Sequence, residues 1–357
     1  MDIETKIDLI KRPPTEEIIQ EDDLRELLST NDKPSHYIGF EISGLLHLGT
    51  LIICGDKIND LCEAGINCTV YLADWHSFIN KKLGGNWDNI IKASKYYEKA
   101  FRFYCPKANI LLGSKFYEGN DEYWKDVMRF ASQITYARTV RTLTIMGRSE
   151  KEELSMAQYF YPIMQAVDVK HIGKDIAHGG MDQRKIHVLC REVFPKLGWK
   201  KPIAIHHHLL PGLAEPPKIN TKDKMEMVVA VKMSKSKPWT AIYIHDSEEE
   251  IRKKLRKAWC PERQVEMNPV LEIAKYIVFR RKESLIIERE SKYGGTIEIN
   301  SYKELEEKYS KGEIHPLDLK EAIARELNLI LEPIRKYFEI PENKELVDTI
   351  KKFEITR

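Results

Sequence analysis

The sequence predicts an α/β chain: a Rossmann-type doubly wound parallel sheet with a helical insertion, followed by a mainly α-helical domain. Three observations carry that expectation. Short apolar runs at 37–40, 68–73 and 109–112 alternate with helical stretches, the order of a parallel sheet with crossover helices. Strand-like runs stop between about 120 and 165, where helical stretches follow one another. Beyond about 240 the pattern is helix-rich, beginning with the capped start Ser247-Glu248-Glu249-Glu250.

At 357 residues the chain is long enough for two domains, and we place their boundary near 240. The first would span 1–240, with a helical N-terminal segment over 1–35 and a connective insertion at about 120–165; the second would span 241–357. A net charge of +2 does not mark a nucleic-acid binder, so any such surface must be local. The six cysteines form no C-x-x-C pair, which argues against a zinc knuckle or a thioredoxin-like site, and no metal site is expected. No signal-peptide pattern opens the chain and no apolar run is long enough to span a membrane, so a cytoplasmic location is expected.

In order, Thr15-Glu16-Glu17 and Ser29-Thr30-Asn31-Asp32 supply capping and turn chemistry to the N-terminal segment. Tyr37-Ile38-Gly39-Phe40 is a buried strand, followed by a glycine-bearing loop and a helix start, a natural anion site. The second strand ends in Asp74-Trp75-His76, at the carboxyl end where open α/β sheets bind ligands. Residues 89–104 read as helix, 121–146 as one long helix, and 155–161 as the start of another. Gly179-Gly180 turns into a helix running to about Phe194, and 202–206 is a short strand. Residues 211–230 read as an irregular surface excursion. His206-His207-His208 lacks metal-ligand spacing and reads as a strand end.

The chemistry concentrates in a few stretches. Lys232-Met233-Ser234-Lys235-Ser236 is a small, basic, hydroxyl-bearing loop suited to a leaving polyphosphate. It matches the nucleotide-loop signature of class I aminoacyl-tRNA synthetases, and His47-Leu48-Gly49 is similar to that family's His-x-Gly-His signature. Tyr37 to Gly49, Tyr161-Pro162-Ile163-Met164-Gln165 with Asp168, and Gly179 to His187 together resemble the archaeal and eukaryotic type of tyrosyl-tRNA synthetase over almost the whole chain.

The resemblance implies tyrosine activation by ATP, with release of pyrophosphate, and transfer of the tyrosyl group to the 3′ end of tRNA(Tyr). It implies magnesium with ATP, no permanent cofactor, and a homodimer. Tyr37 and Asp168 would read the substrate phenol, and Tyr161, Gln165 and Gln183 its ammonium end. Tyr161, Gln165 and Asp168 have spacings of four and three, one face of a helix. Gly39, Glu41, His47, Gly49, Gly180, Asp182, Lys232, Met233, Ser234, Lys235 and Ser236 would line the ATP side, with His47, Thr50, Lys232 and Lys235 acting in catalysis. Asp74 and His76 would line the pocket as well. Thr50 stands where histidine is usual in the signature and cannot carry positive charge. Tyr293, His315 and Asp318 match anticodon-reading positions, although His315-Pro316 with Asp318 also describes a helix start. A tryptophanyl-tRNA synthetase is the alternative within this fold, and a non-catalytic RNA-binding relative is the alternative from another class.

Overall fold

The apolar runs form the middle of a six-stranded sheet in the computed structural model, which describes residues 1–147, 153–217 and 224–354. The chain begins with α1 (Ile3–Lys11), β1 (Thr15–Ile19), α2 (Glu21–Thr30) and β2 (Ser35–Glu41). A π-helical stretch at Leu48–Ile53 precedes α3 (Cys54–Glu63), β3 (Asn67–Ala73), α4 (Asp74–Ile79), α5 (Trp87–Tyr104) and β4 (Asn109–Leu112). The helical block holds α6 (Gly113–Tyr117), α7 (Asp121–Ala131), α8 (Tyr136–Thr142) and α9 (Met156–His171). β5 (Ile176–Gly180), α10 (Arg184–Val193), β6 (Ile203–His207) and α11 (Lys224–Val231) follow. The remainder holds α12 (Glu248–Lys257), α13 (Pro269–Ile273), β7 (Leu285–Ile287), β8 (Ile297–Ile299), α14 (Tyr302–Lys311), α15 (Pro316–Glu339) and α16 (Pro341–Ile350).

The sheet order is β1-β6-β5-β2-β3-β4, parallel throughout except for β1, which pairs antiparallel with β6. The chain winds outward from β2 to β3 and β4, then restarts on the other side with β5 and β6. The crevice outside the carboxyl ends of β2 and β5 is therefore the topological switch point, where doubly wound sheets take ligands.

Three local expectations are corrected. The 1–35 segment is not continuously helical, because Thr15–Ile19 forms an edge strand, with Ile18 opposite Ile205. Its residues suit a helix start locally, but pairing with β6 satisfies backbone groups that an open edge would leave bare. The expected long helix at 121–146 breaks after Ala131, and the Thr135 hydroxyl accepts the Arg138 N–H at 3.3 Å to cap a new start. The stretch at 211–230 is not all irregular, since α11 occupies Lys224–Val231; residues 218–223 lie outside the described residues.

The chain divides into two compact units. The first comprises Met1–Gly44, Cys54–His208 and Leu346–Arg357 and contains the six-stranded sheet. The second comprises Leu45–Ile53 and Leu209–Glu345. It is mainly helical, with the small antiparallel ribbon β7–β8, whose Leu285, Ile287 and Ile299 are buried.

The first unit buries a ladder of imidazoles across β2, β5 and β6. His36 Nε2 lies 3.0 Å from His178 Nδ1, His178 Nε2 lies 2.9 Å from His207 Nδ1, and His207 Nε2 lies 3.3 Å from Cys54 Sγ. A neutral imidazole has one donor and one acceptor, so the ladder is satisfied only head to tail and uncharged. His36 Nδ1 is buried without a partner, which favours the tautomer that places the proton on Nε2 and runs the donors from β2 towards Cys54. Burial holds His36 down to about 3, His207 to about 4, and His178 well below the ordinary histidine range. The unfolded chain takes up these protons near pH 6.5, whereas the folded chain does not, so stability falls as pH falls through that window. The urea midpoint should decline steadily from about pH 7 to about pH 4.5; a midpoint flat over that range would contradict the neutral ladder.

Candidate active site

At the switch point, α9 projects Tyr161, Gln165 and Asp168 from one helical face, as their spacing predicts. Asp168 is fully buried. Its Oδ1 accepts hydrogen bonds from the hydroxyls of Tyr117 and Tyr123, each at 2.9 Å. Its Oδ2 is buried without a hydrogen bond, with His76 Nε2 at 3.5 Å. Burial pushes the Asp168 carboxyl up to about 8, against the pull of the two hydroxyls, and the charge of Asp74 adds to the rise. Burial also holds His76 down to about 3. At neutral pH the two therefore face each other uncharged, and their proximity is not an ion pair.

Tyr37 lies on β2 with its ring 5.6 Å from that of Tyr71. Burial, followed by the nearby Asp168 charge, raises its phenol well above the ordinary range. The Tyr37 hydroxyl has no hydrogen-bond partner among the described residues. A Cβ at Gly39 would lie 2.5 Å from that hydroxyl, so the ring holds its position only because residue 39 has no side chain.

Beside this centre, Glu41 accepts from the Tyr161 hydroxyl at 3.0 Å and from Asn80 Nδ2 at 2.7 Å, with Lys82 Nζ at 3.5 Å. Gln165 Nε2 donates to Gln183 Oε1 at 3.0 Å, and Gln183 Nε2 donates to the Ile145 carbonyl at 3.2 Å. Gly180 ends β5, and the following turn, Met181–Gln183, carries Asp182 and Gln183. Tyr37, Gly39, Glu41, Tyr161, Gln165, Asp168, Gly180, Asp182 and Gln183 thus all belong to the first unit.

The two signatures belong to the second. His47 is strapped to Tyr243 by antiparallel pairing: Leu48 N donates to the Ile242 carbonyl at 3.0 Å and Ile244 N to the Leu46 carbonyl at 3.1 Å. Gly49 and Thr50 follow in the π-helical stretch, and Thr50 Oγ1 lies 3.1 Å from His47 Nε2. Burial, then the charges of Lys235 and Lys232, hold His47 down to about 3. At neutral pH the His47 ring is therefore uncharged, with the Thr50 hydroxyl beside its Nε2. Lys232 bridges to Pro211, and the Met233 N–H donates to the Leu210 carbonyl at 2.7 Å. Ser234 and Ser236 hydroxyls lie 2.9 Å apart, and Lys235 is buried.

Tyr293 is 62% exposed, with the Lys292 ammonium 4.8 Å from its ring centre. His315 caps α15: its Nδ1 accepts the Leu317 N–H at 3.2 Å, and Asp318 sits in the first turn. The helix-start reading of that stretch is therefore structurally correct. It leaves the His315 ring half exposed.

Sequence reasoning missed Tyr71, Tyr117 and Tyr123. No short motif or periodicity joins residues that come together only through β3, α6 and α7. Asp74 and His76 were expected to line the pocket. Asp74 accepts the N–H of Trp75 at 2.7 Å and of Ser114 at 2.9 Å, which anchors the start of α6, and His76 lies 3.5 Å from Asp168.

Residues 29–332 match the family model of class I tRNA synthetases for tryptophan and tyrosine (W and Y). A tyrosine–tRNA ligase of Thermococcus kodakarensis is 46% identical over 373 aligned residues, covering 98% of this chain and 99% of that protein. That of Pyrococcus furiosus is 46% identical over the full length of both. The solved tyrosyl-tRNA synthetase of Pyrococcus horikoshii, crystallised with L-tyrosine, superposes with a TM-score of 0.91 at 44% identity, covering 98% of this chain and all of that one. With a family match across most of its length and relatives of this kind end to end, the chain belongs to the class I tRNA synthetases, in the tyrosine–tRNA ligase family.

Proposed function

We propose that Asp168 and the residues around it select the amino acid and that the histidine and lysine signatures act on ATP. The chain is a tyrosine–tRNA ligase. The tyrosine carboxylate attacks the α-phosphate of ATP, giving tyrosyl-adenylate and pyrophosphate, and the terminal ribose hydroxyl of tRNA then takes the tyrosyl group. Neither step needs a protein nucleophile, so the residues position and stabilise charge.

The observation that carries the assignment is Asp168: a buried carboxyl with one oxygen saturated by hydroxyls and the other without a hydrogen bond. The substrate hydroxyl would meet Oδ2 and the Tyr37 hydroxyl. Phenylalanine would leave both unpaired, a penalty worth up to about 10⁵ in discrimination. Tyr161, Gln165 and Gln183 hold the ammonium end. The ATP-binding residues are Gly39, Glu41, His47, Gly49, Gly180, Asp182, Lys232, Met233, Ser234, Lys235 and Ser236. Lys232 and Lys235 offset charge on the leaving pyrophosphate, and neutral His47 donates to phosphate oxygen with Thr50 fixing its ring. Magnesium would accompany ATP without a dedicated protein cage and would offset charge on the phosphates. Tyr293, His315 and Asp318 read the anticodon. We further place the enzyme in the cytoplasm, as a homodimer assembled through the 120–165 helices.

Amino-acid-dependent pyrophosphate exchange tests the assignment: tyrosine alone among the twenty amino acids should support it, and activity with tryptophan but not tyrosine would refute it. Asp168→Ala should cut discrimination against phenylalanine by at least ~100-fold, whereas unchanged selectivity removes Asp168 from the phenol site. Thr50→Val should slow exchange by ~10-fold, the worth of one hydrogen bond, while equilibrium tyrosine binding is retained; a normal rate would show that His47 needs no orienting hydroxyl. Tyr293→Ala should raise KM for tRNA by ~10-fold through lost stacking, and aminoacylation at unchanged KM would exclude it from the anticodon site.

A further inference from the structure

We propose that Tyr117 and Tyr123 are positioning residues for Asp168: their hydroxyls occupy Oδ1 and leave Oδ2 as the single acceptor presented to the substrate phenol. The proposal rests on the reading of Asp168 as the phenol acceptor.

Both donors approach the same oxygen at 2.9 Å. A carboxylate oxygen has two lone pairs, so two hydroxyls fill it. The donors come from different elements, α6 and α7, while Asp168 comes from α9. The carboxyl plane is thus held from two directions. The direction of the network is fixed further back. The Tyr71 hydroxyl donates to that of Tyr117 at 2.5 Å, so the proton of Tyr117 is committed to Asp168. α6 itself is pinned by Asp74, which accepts the Ser114 N–H. A Cβ at Gly113 would lie 2.6 Å from Asp74 Oδ1 and 2.7 Å from the Tyr71 hydroxyl, so the close packing at the start of α6 depends on glycine.

The arrangement bears on recognition in two ways. Without donors on Oδ1, the carboxyl could turn and offer either oxygen, and a substrate phenol would meet no defined acceptor. The hydroxyls also stabilise the ionised form against burial, and an ionised Oδ2 accepts where a protonated one donates. The other titratable groups facing Asp168 among the described residues are Tyr37 on β2, Tyr71 on β3, Asp74 and His76 on α4, and Tyr161 on α9 itself. None of them hydrogen-bonds Oδ2.

The test compares Tyr117→Phe, Tyr123→Phe and Asp168→Asn with the unaltered full chain in pyrophosphate exchange across pH. Each phenylalanine variant should raise KM for tyrosine by ~5- to 10-fold and leave KM for ATP alone. Tyrosine binding favours the ionised carboxyl, so KM for tyrosine falls as pH rises through the Asp168 transition. Removing a donor raises that transition, and the fall should move to higher pH by about one unit. Tyr71→Phe, a milder variant one bond further out, should move it the same way by less, and serves if either other variant fails to fold. If Asp168→Asn loses selectivity but the tyrosine variants keep the parent KM and pH profile, the proposal is overturned and the reading of Asp168 stands. Equal losses in both KM values with an unmoved pH profile also overturn it, as a purely structural effect. If Asp168→Asn keeps full selectivity, the reading of Asp168 fails and the proposal falls with it.

Discussion

A carboxyl group taken out of water must find donors or give up its charge, and the first unit is arranged around that constraint at Asp168. Its partners arrive from α6 and α7, its helix is α9, and the ring of Tyr37 comes from β2 at the switch point of the sheet. Nothing in the local chain demands this convergence. The sheet order and the helical block bring four separate elements to one oxygen pair.

The central strands and the helix periods were legible in the sequence where burial is continuous. β2, β3 and β4 are apolar runs, and the face shared by Tyr161, Gln165 and Asp168 follows from helical spacing alone. The signatures around His47 and Lys232 were legible through their resemblance to those of the family, since a basic serine loop by itself reads equally as a solvated surface. β1 was not legible, because Thr15–Ile19 carries helix-start residues and becomes a strand only beside β6. The helix break before Tyr136 was not legible either, since it depends on a threonine cap within an otherwise helical run. The phenol cluster escaped for a third reason. A buried tyrosine is usually a core residue, and only the orientation of its hydroxyl distinguishes Tyr117 or Tyr123 from Tyr96 or any other core tyrosine.

Histidine plays two different parts in this chain, and burial sets both. In the ladder of His36, His178 and His207 it serves as a neutral link between strands, the paired ring nitrogens running donor to acceptor. At His47 the same neutrality is enforced by burial and by two lysines of the later signature. A charged imidazole there would add to the positive field, whereas a neutral one leaves Lys232 and Lys235 as the cations and supplies direction.

The pairing of Leu46 and Leu48 with Ile244 and Ile242 has a consequence for how such a chain can be rearranged. Residues 45–53 lie early in the chain yet belong to the later unit, and Leu346–Arg357 returns to the earlier one. A gene fragment ending at His208 would carry the histidine signature without the 242–244 segment that pairs with it. One beginning at Leu209 would carry the lysine loop without its histidine. Neither unit is a continuous stretch of chain, so no single cut leaves both signatures with all of their own unit.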